Sequence, residues 1–469
     1  MAWLSGYGYR QKVPLKRVDG AVTDYQMLLT VNKGAGDSSG AVIYLKNHAL
    51  SWEGTVPNDL RFTKADGTTL LNYWIESSDA NTAKVWIKFD SIGTTDTDFY
   101  VYYGKSADSS VSNAPNTFLL GEVFPDTTNW TVLAGTWSLV GDDYKGVHDG
   151  TAGNRKSSRS AYSPPANFRL LSRIKSSVDN SLANIVFRAA TNANDDNNRI
   201  WVRLDQRAVN TSAHDGGFHC AEDVSGTEYW RGYYDFAPVV NQYYHVQLTA
   251  SGSTVKGYLD GTLRWTATVT QTASGYLLVQ VGYLSGHDAF FDYICIGQYV
   301  DPEPTWGTWG NEEVPNAAPT NGAGSITDMD DTDNIYAQRK WYTASSVCSD
   351  ADGFADIDYC EFRLKQGATT RAIFRYDEDT NTFSTESGST EWDLDTDNSS
   401  AIESGNDITI TWKFSPQWDA VEENDLEIEL YVIDAVAASD TDTAQSDYVD
   451  VVTDLVTTFS IDDDRGNVG

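Results

Sequence analysis

The sequence predicts an all-β chain built as three tandem β-sandwiches, and three observations carry that expectation. Apolar residues recur with a period of two. Val85, Ile87 and Phe89 alternate with Trp86, Lys88 and Asp90; Tyr244, Val246 and Leu248 with Tyr243, His245 and Gln247; Ile408, Ile410, Trp412 and Phe414 with Thr409, Thr411 and Lys413. Successive side chains on a strand point to opposite faces, so this spacing marks half-buried strands. No long window shows the three- and four-residue spacing of an amphipathic helix. A length of 469 residues, 40% hydrophobic and 12% aromatic, suits about three domains, each with its own core.

The first domain is expected over residues 1–117. Residues 59–62 read as a short extended piece, 64–68 as a turn with Gly67 where a positive φ is easiest, and 70–75 as the return strand of a hairpin. Residues 99–103 add an aromatic strand ended by Gly104. The second domain, residues 118–300, opens on Trp130 and Trp137 and continues through 185–188, 199–204 and 243–248. It turns at Asp260-Gly261, a strong two-residue hairpin signal, and closes with 290–296. Residues 301–319 carry Pro302, Pro304, Pro315 and Pro319 and read as a stiff linker, with Trp306 and Trp309 available to dock on a neighbouring domain. Residues 320–455 hold further short strands at 359–365, 370–376, 407–414 and 425–434, an immunoglobulin-like pattern. Residues 456–469 are a tail with one strand's worth of sequence, able to pair with a sheet edge.

Trp3, Gly6, Tyr9 and Arg10, then Asp24-Tyr25-Gln26, the stretch 59–76, Tyr102-Tyr103-Gly104, Ser112-Asn113 and Phe118 together resemble the family catalogued as domain of unknown function 2341. Tyr7 departs from the Trp more usual there. The resemblance implies a jelly-roll-like sandwich of modular surface and virus-associated proteins, followed by a lectin-like domain, with no known catalytic residue. The second domain, through Trp130, Trp137, residues 258–261 and Phe291-Asp292-Tyr293, resembles the concanavalin-A or laminin-G lectin sandwich. That implies sugar binding, in some members with calcium.

The net charge of −34 is uneven. From Ala317 onward there are 8 Lys plus Arg against 34 Asp plus Glu, a net −26 that leaves −8 for the first 316 residues. Such a surface repels nucleic acid, and no basic patch with interleaved aromatics offsets it. No apolar run reaches the roughly 18 residues of a membrane span. The first residues lead into the first strand without a signal-type segment, which points to a virion protein made in the cytosol, with a trimmed signal as the other explanation. Four cysteines make no disulfide scaffold; Cys348 and Cys360 flank an acidic turn and can bridge, or stay free like Cys220 and Cys295.

Flat aromatic faces beside planar hydrogen-bonding groups are what a sugar needs, and the richest supply is Tyr229, Trp230, Arg231, Tyr233 and Tyr234. Trp201 alternates like a core residue. Asp350, Asp352, Asp356 and Asp358 surround Gly353 and offer calcium the hard oxygen ligands it takes; a plain Asp-Gly turn is the alternative. Asp126 with Asp292, on the first and last strands of the second domain, is a second calcium candidate. His214, Asp215, His219 and Cys220 match no zinc spacing and read as polar loop residues. The acidic stretch Glu391, Asp393, Asp395 lacks the final acid of a glycoside hydrolase signature, Thr396 standing there, and lies outside the lectin-like domain.

These readings lead to an expected non-enzymatic virion or cell-surface structural and adhesion protein, of tail, fibre or capsid-decoration type, with a carbohydrate-binding middle domain. Its expected partners are glycans or a host cell surface, copies of itself and other surface proteins. A structural subunit without glycan binding and a polysaccharide-acting glycoside hydrolase are the alternatives.

Overall fold

The computed structural model describes residues 2–46, 52–53, 56–151, 155–191, 197–207, 214–282, 284–330, 333–443, 445 and 448–453. It divides into two units, Met1–Val314 and Pro315–Gly469. Both are β-sandwiches throughout. Among the described residues no helix is long and apolar enough to cross a membrane. The tail expected to add a strand, 456–469, lies outside the described residues.

In the first unit the leading sandwich sets a four-stranded sheet against a five-stranded one. The four-stranded sheet runs Val42–Tyr44, Val22–Asn32, Thr82–Ile92, Tyr73–Ser78; the other contains Tyr9–Lys16, Thr97–Tyr103 and Arg61–Lys64. The alternation in the sequence is what fills the space between them: Val85, Ile87 and Phe89 from one sheet meet Phe62, Phe99, Val101 and Tyr103 from the other. The hairpin expected over 59–75 forms only at its tip, where the Lys64 N–H donates to the Thr69 carbonyl and the Leu71 N–H to that of Phe62. Arg61–Lys64 pairs with Thr97–Tyr103 in one sheet and Tyr73–Ser78 with Thr82–Ile92 in the other, with a single bridge from Thr63 to Leu70 between them. The turn itself exists, with Gly67 at φ +78° and Asp66 accepting from the Thr68 and Thr69 backbone N–H groups. Beyond it the buried Leu71 carries the chain across to the opposite sheet, so the two flanking strands face each other through the core.

Residues 301–314 are not a spacer. Thr305–Trp306 and Glu312–Glu313 both pair with Tyr9–Lys16, so the chain returns after the second sandwich to finish the first. Trp309 enters the first core, donates its Nε1–H to the Gly40 carbonyl at 3.0 Å and stacks on Trp306. Proline spacing suggested stiffness, but burial of two indoles and unsatisfied edge N–H groups on Tyr9–Lys16 decide where the segment lies.

The second sandwich packs an eight-stranded sheet against a seven-stranded one. The latter runs Trp130–Val132, Lys156–Ser160, Tyr276–Gly282, Leu182–Ala189, Arg199–Asp205, Gly217–Val224, Thr227–Asp235. Asp260 and Gly261 have φ of 51° and 77°, both left-handed as a two-residue hairpin turn requires. The outer face of the eight-stranded sheet is covered by the first sandwich: Leu171, Tyr293 and Cys295 meet Trp74, Trp86 and Phe118 in one buried cluster. At its polar centre Glu76 accepts from Tyr293 Oη and Trp86 Nε1, each at 2.9 Å, and is paired with His245 Nε2. Cys220 and Cys295 are buried free thiols, the first in the main core and the second in this joint. The outer face of the seven-stranded sheet lies on the side away from the first sandwich.

The second unit is also a two-sheet sandwich. One sheet is built on Tyr342–Ser349 and Asp407–Pro416, the other on Glu423–Asp434, Ile357–Gln366 and Thr369–Asp377, with Trp412, Phe362 and Phe414 between them. Cys348, in the first sheet, and Cys360, in the second, form a disulfide that ties the two sheets across the core. A cross-link closing a loop of this length removes enough unfolded-state entropy to stabilise by about 3 kcal/mol. Reduction is therefore expected to lower the urea midpoint of the second unit by that equivalent, read as the difference between oxidised and dithiothreitol-treated protein. An unchanged midpoint would show that the bridge contributes nothing.

Candidate functional site

Cross-strand register assembles the site. Opposite one another on the outer face of the seven-stranded sheet lie Ser157, Gln280, Asn184, Arg203, His219 and Tyr233, one polar residue from each of six adjacent strands. Two residues along, or three on the last strand, where Arg231 bulges, the same strands contribute Arg159, Leu278, Val186, Trp201, Ala221 and Trp230. A polar row thus runs beside a mostly apolar row ending in two tryptophans. Facing positions repeat every second residue, which is why each strand supplies both rows.

Hydrogen bonds join parts of the polar row. Gln280 donates to Ser157 Oγ at 3.4 Å, and Arg203 Nε donates to Asn184 Oδ1 at 3.1 Å. The Arg203 guanidinium lies 4.1 Å over the Trp201 ring. Burial, with Arg155 nearby, pushes Arg203 down to about 10, so it remains a cation at neutral pH. His219 is fully buried; burial lowers its pKa, against the pull of Asp205 and of its 3.2 Å contact to Asp235. Among the described residues four buried polar atoms on this face have no hydrogen-bond partner: Arg159 Nε, Trp201 Nε1, His219 Nδ1 and Gln280 Oε1. Such atoms are uncommon in folded cores and mark places where something else can complete the bonding.

The rows open to solvent at one end. Tyr233 is 58% exposed, and the Asp235 side chain is 50% exposed. Here His214 stacks on Trp230 at 4.4 Å and lies 5.0 Å from Tyr233, while Trp230 meets Trp201 edge-on at 5.2 Å. The other acids nearby are held by arginines. Arg207 donates through two nitrogens to Asp205 and also pairs with Asp215; Arg199 pairs with Asp223 at 2.7 Å.

The five residues read from the sequence as sugar-binding are divided between two faces. Trp230 and Tyr233 lie on the site. Tyr234 turns inward against the main core with Arg264 over its ring, and Tyr229 and Arg231 sit on the other side, Arg231 bonding the buried Glu222. A bulge at Arg231, opposite the step from Cys220 to Ala221, sets this division, since an extra residue shifts which side chains share a face. Trp201 is buried, but outside the main core. Its own strand sends Ile200, Val202 and Leu204 inward and Arg199, Trp201, Arg203 and Asp205 outward. His219 is on a strand, not in a polar loop. The signal for this face was one isolated polar residue inside each apolar strand: Asn184, Arg203, His219 and Gln280.

Asp126 and Asp292 are not brought together. The chain leaves its strand at Glu122 and turns at Phe124, φ 52°; Asp126 is then exposed and caps Thr128, whereas Asp292 is paired with Arg173 at 2.8 Å. In the second unit Asp350, Asp352 and Asp356 converge, while Asp358 does not join them.

Residues 56–140 match the family described as domain of unknown function (DUF2341), a span that begins later and ends later than the stretch carrying the resemblance in sequence. A search of curated proteins finds no match. Among solved structures the chain is similar to a carbohydrate-binding module, CBM66, from Bacillus subtilis, at 22% identity over 36% of this chain and 96% of that one, TM-score 0.31. It is also similar to a Bacillus subtilis protein of unknown function with a galectin-like fold, at 11% identity over 39% and 96%, TM-score 0.33. A third is the Bacillus licheniformis beta-glucanase, at 12% identity over 38% and 98%, TM-score 0.30. These comparisons return a carbohydrate-binding module and a glucanase, and the expectation of a non-enzymatic virion or cell-surface structural and adhesion protein is corrected on that finding.

Proposed function

We propose that the second sandwich binds a polysaccharide along the outer face of its seven-stranded sheet. The observation that carries this reading is the pair of neighbouring rows, aromatic and polar, that open at Trp230 and Tyr233. A sugar ring presents C–H groups on its faces and hydroxyls around its rim, so it calls for a flat aromatic surface with fixed hydrogen-bonding groups beside it. Trp230, Tyr233 and His214 supply the surface. Asp235, turned to solvent, supplies a hydrogen-bonding group at its edge, and the buried His219 behind it holds that carboxylate in place.

The test is affinity electrophoresis of the full chain through gels containing neutral or sulfated polysaccharides. Trp230→Ala is expected to weaken retardation by about five- to a hundredfold, the loss of roughly 1–3 kcal/mol for one central aromatic contact. Tyr229→Ala, on the opposite side of the same strand, should leave it unchanged. Equal behaviour of the two variants would sink the assignment of the face. Cleavage of the bound chain is the second reading: such hydrolysis works between two carboxylates, and Asp235, turned to solvent, and Asp205, held by Arg207, flank Gly217 on this face. Release of reducing ends by the wild type, lost in Asp235→Asn, would establish it.

A further inference from the structure

The strand Tyr342–Ser349 runs into Asp350, and the chain then turns through Asp352, Gly353 and the short helical turn Phe354–Asp356 before the next strand, Ile357–Gln366. Asp350, Asp352 and Asp356 each place a carboxylate oxygen within 4.8 Å of the other two. Asp350 is fully buried. Its Oδ1 accepts from the Asp352 N–H at 2.8 Å, but its Oδ2 is buried with no partner, and so is Oδ2 of Asp356.

One further oxygen of the cluster is held by the fold. Asp352 Oδ2 accepts from the Ala317 N–H at 2.7 Å. A fourth buried acid, Asp434, stands near enough to repel Asp350 and Asp356; it is fixed by the N–H groups of Val436 and Ala438 and by Asn316. Among the described residues none of the four forms an ion pair with Lys or Arg. Carboxylate oxygens packed against one another without donors are unfavourable unless a cation completes them.

We propose that this turn is a calcium site with Asp350, Asp352 and Asp356 as its carboxylate ligands. The donor set is all oxygen, without the His or Cys that zinc and the later transition metals favour. Calcium accepts irregular sets of six to eight oxygens and fills the remainder with water or carbonyls, whereas magnesium demands near-ideal octahedral geometry. The site lies in the second unit and does not depend on the polysaccharide reading. Asp358 is excluded because its acidic neighbours are Asp377 and Asp379, on another strand and turn, which makes it a control within the same acidic segment.

The experiment is calorimetric titration of the chelator-treated full chain with calcium chloride, with thermal unfolding in parallel. One equivalent is expected to bind to the second unit, raising its transition by roughly 5–10 °C at a hundredfold excess over Kd. Asp356→Asn should weaken binding at least about tenfold and Asp358→Asn should not. Asp350→Asn should lose the calcium-dependent shift yet unfold at a higher temperature than wild type in chelator, because it removes a buried, uncompensated charge. A residue that is merely structural would lower the transition in both conditions. No calcium uptake by the wild type, equal transitions with calcium and chelator, or equal effects of Asp356→Asn and Asp358→Asn would overturn the proposal. The same shift with magnesium chloride alone would overturn the choice of calcium.

Discussion

Trp309→Ala is expected to cost the first sandwich about 3–5 kcal/mol, the usual penalty for truncating a buried aromatic to alanine. The indole is only 9% exposed, packs in the core formed by the strands of residues 9–103 and donates to the Gly40 carbonyl. It also anchors the return segment whose two short strands cover the edge of Tyr9–Lys16. Losing it removes core volume and loosens the edge together. Urea denaturation read by tryptophan fluorescence gives the size of the effect. Trp418→Ala, at a 52% exposed position, is the control and should stay within about 0.5 kcal/mol of wild type. If Trp309→Ala were as mild, residues 301–314 would be a spacer after all.

Replacing Glu76 by Leu should be of similar size, about 3–5 kcal/mol at neutral pH, because it strands groups that now share one buried acceptor. Burial alone would raise the Glu76 pKa; hydrogen bonds from His245, Trp86 and Tyr293 outweigh burial and hold it below its ordinary value. A carboxyl with a depressed folded-state pKa contributes stability that is present above the unfolded value of about 4.3 and fades as pH falls through the folded one. The gap between wild type and Glu76→Leu in urea should accordingly be full at pH 7 and narrow progressively below pH 4. A gap independent of pH would mean that packing of the side chain, and not its charge, holds the joint of Trp74, Trp86, Leu171 and Tyr293.

Much of the architecture was legible because strand patterning is local. Val85, Ile87 and Phe89 announce one buried face by alternation alone, and Asp260-Gly261 announces its hairpin because both residues must take positive φ. The interval from Gly67 to Tyr73 was misread for the same reason. A turn between two apolar runs looks alike whether the second run returns in the same sheet or crosses to the facing one, and only the packing of Leu71 distinguishes them.

The candidate site was harder to see than the fold. Trp230 and Tyr233 were found as an aromatic cluster, but Tyr229, Arg231 and Tyr234 came with them because a bulge at Arg231 fixes which side chains of that strand share a face. Trp201 was read as core because alternation reports the spacing of faces without saying which face is the core. What the sequence by itself determined was the class of fold, the acidity of the last third, and the residues available for sugar and cation chemistry. What only the tertiary structure decided was their company. The row from Ser157 to Tyr233 draws on six strands, and the first sandwich is completed by residues nearly three hundred positions away, because register and chain return are properties of long-range pairing that no local pattern encodes.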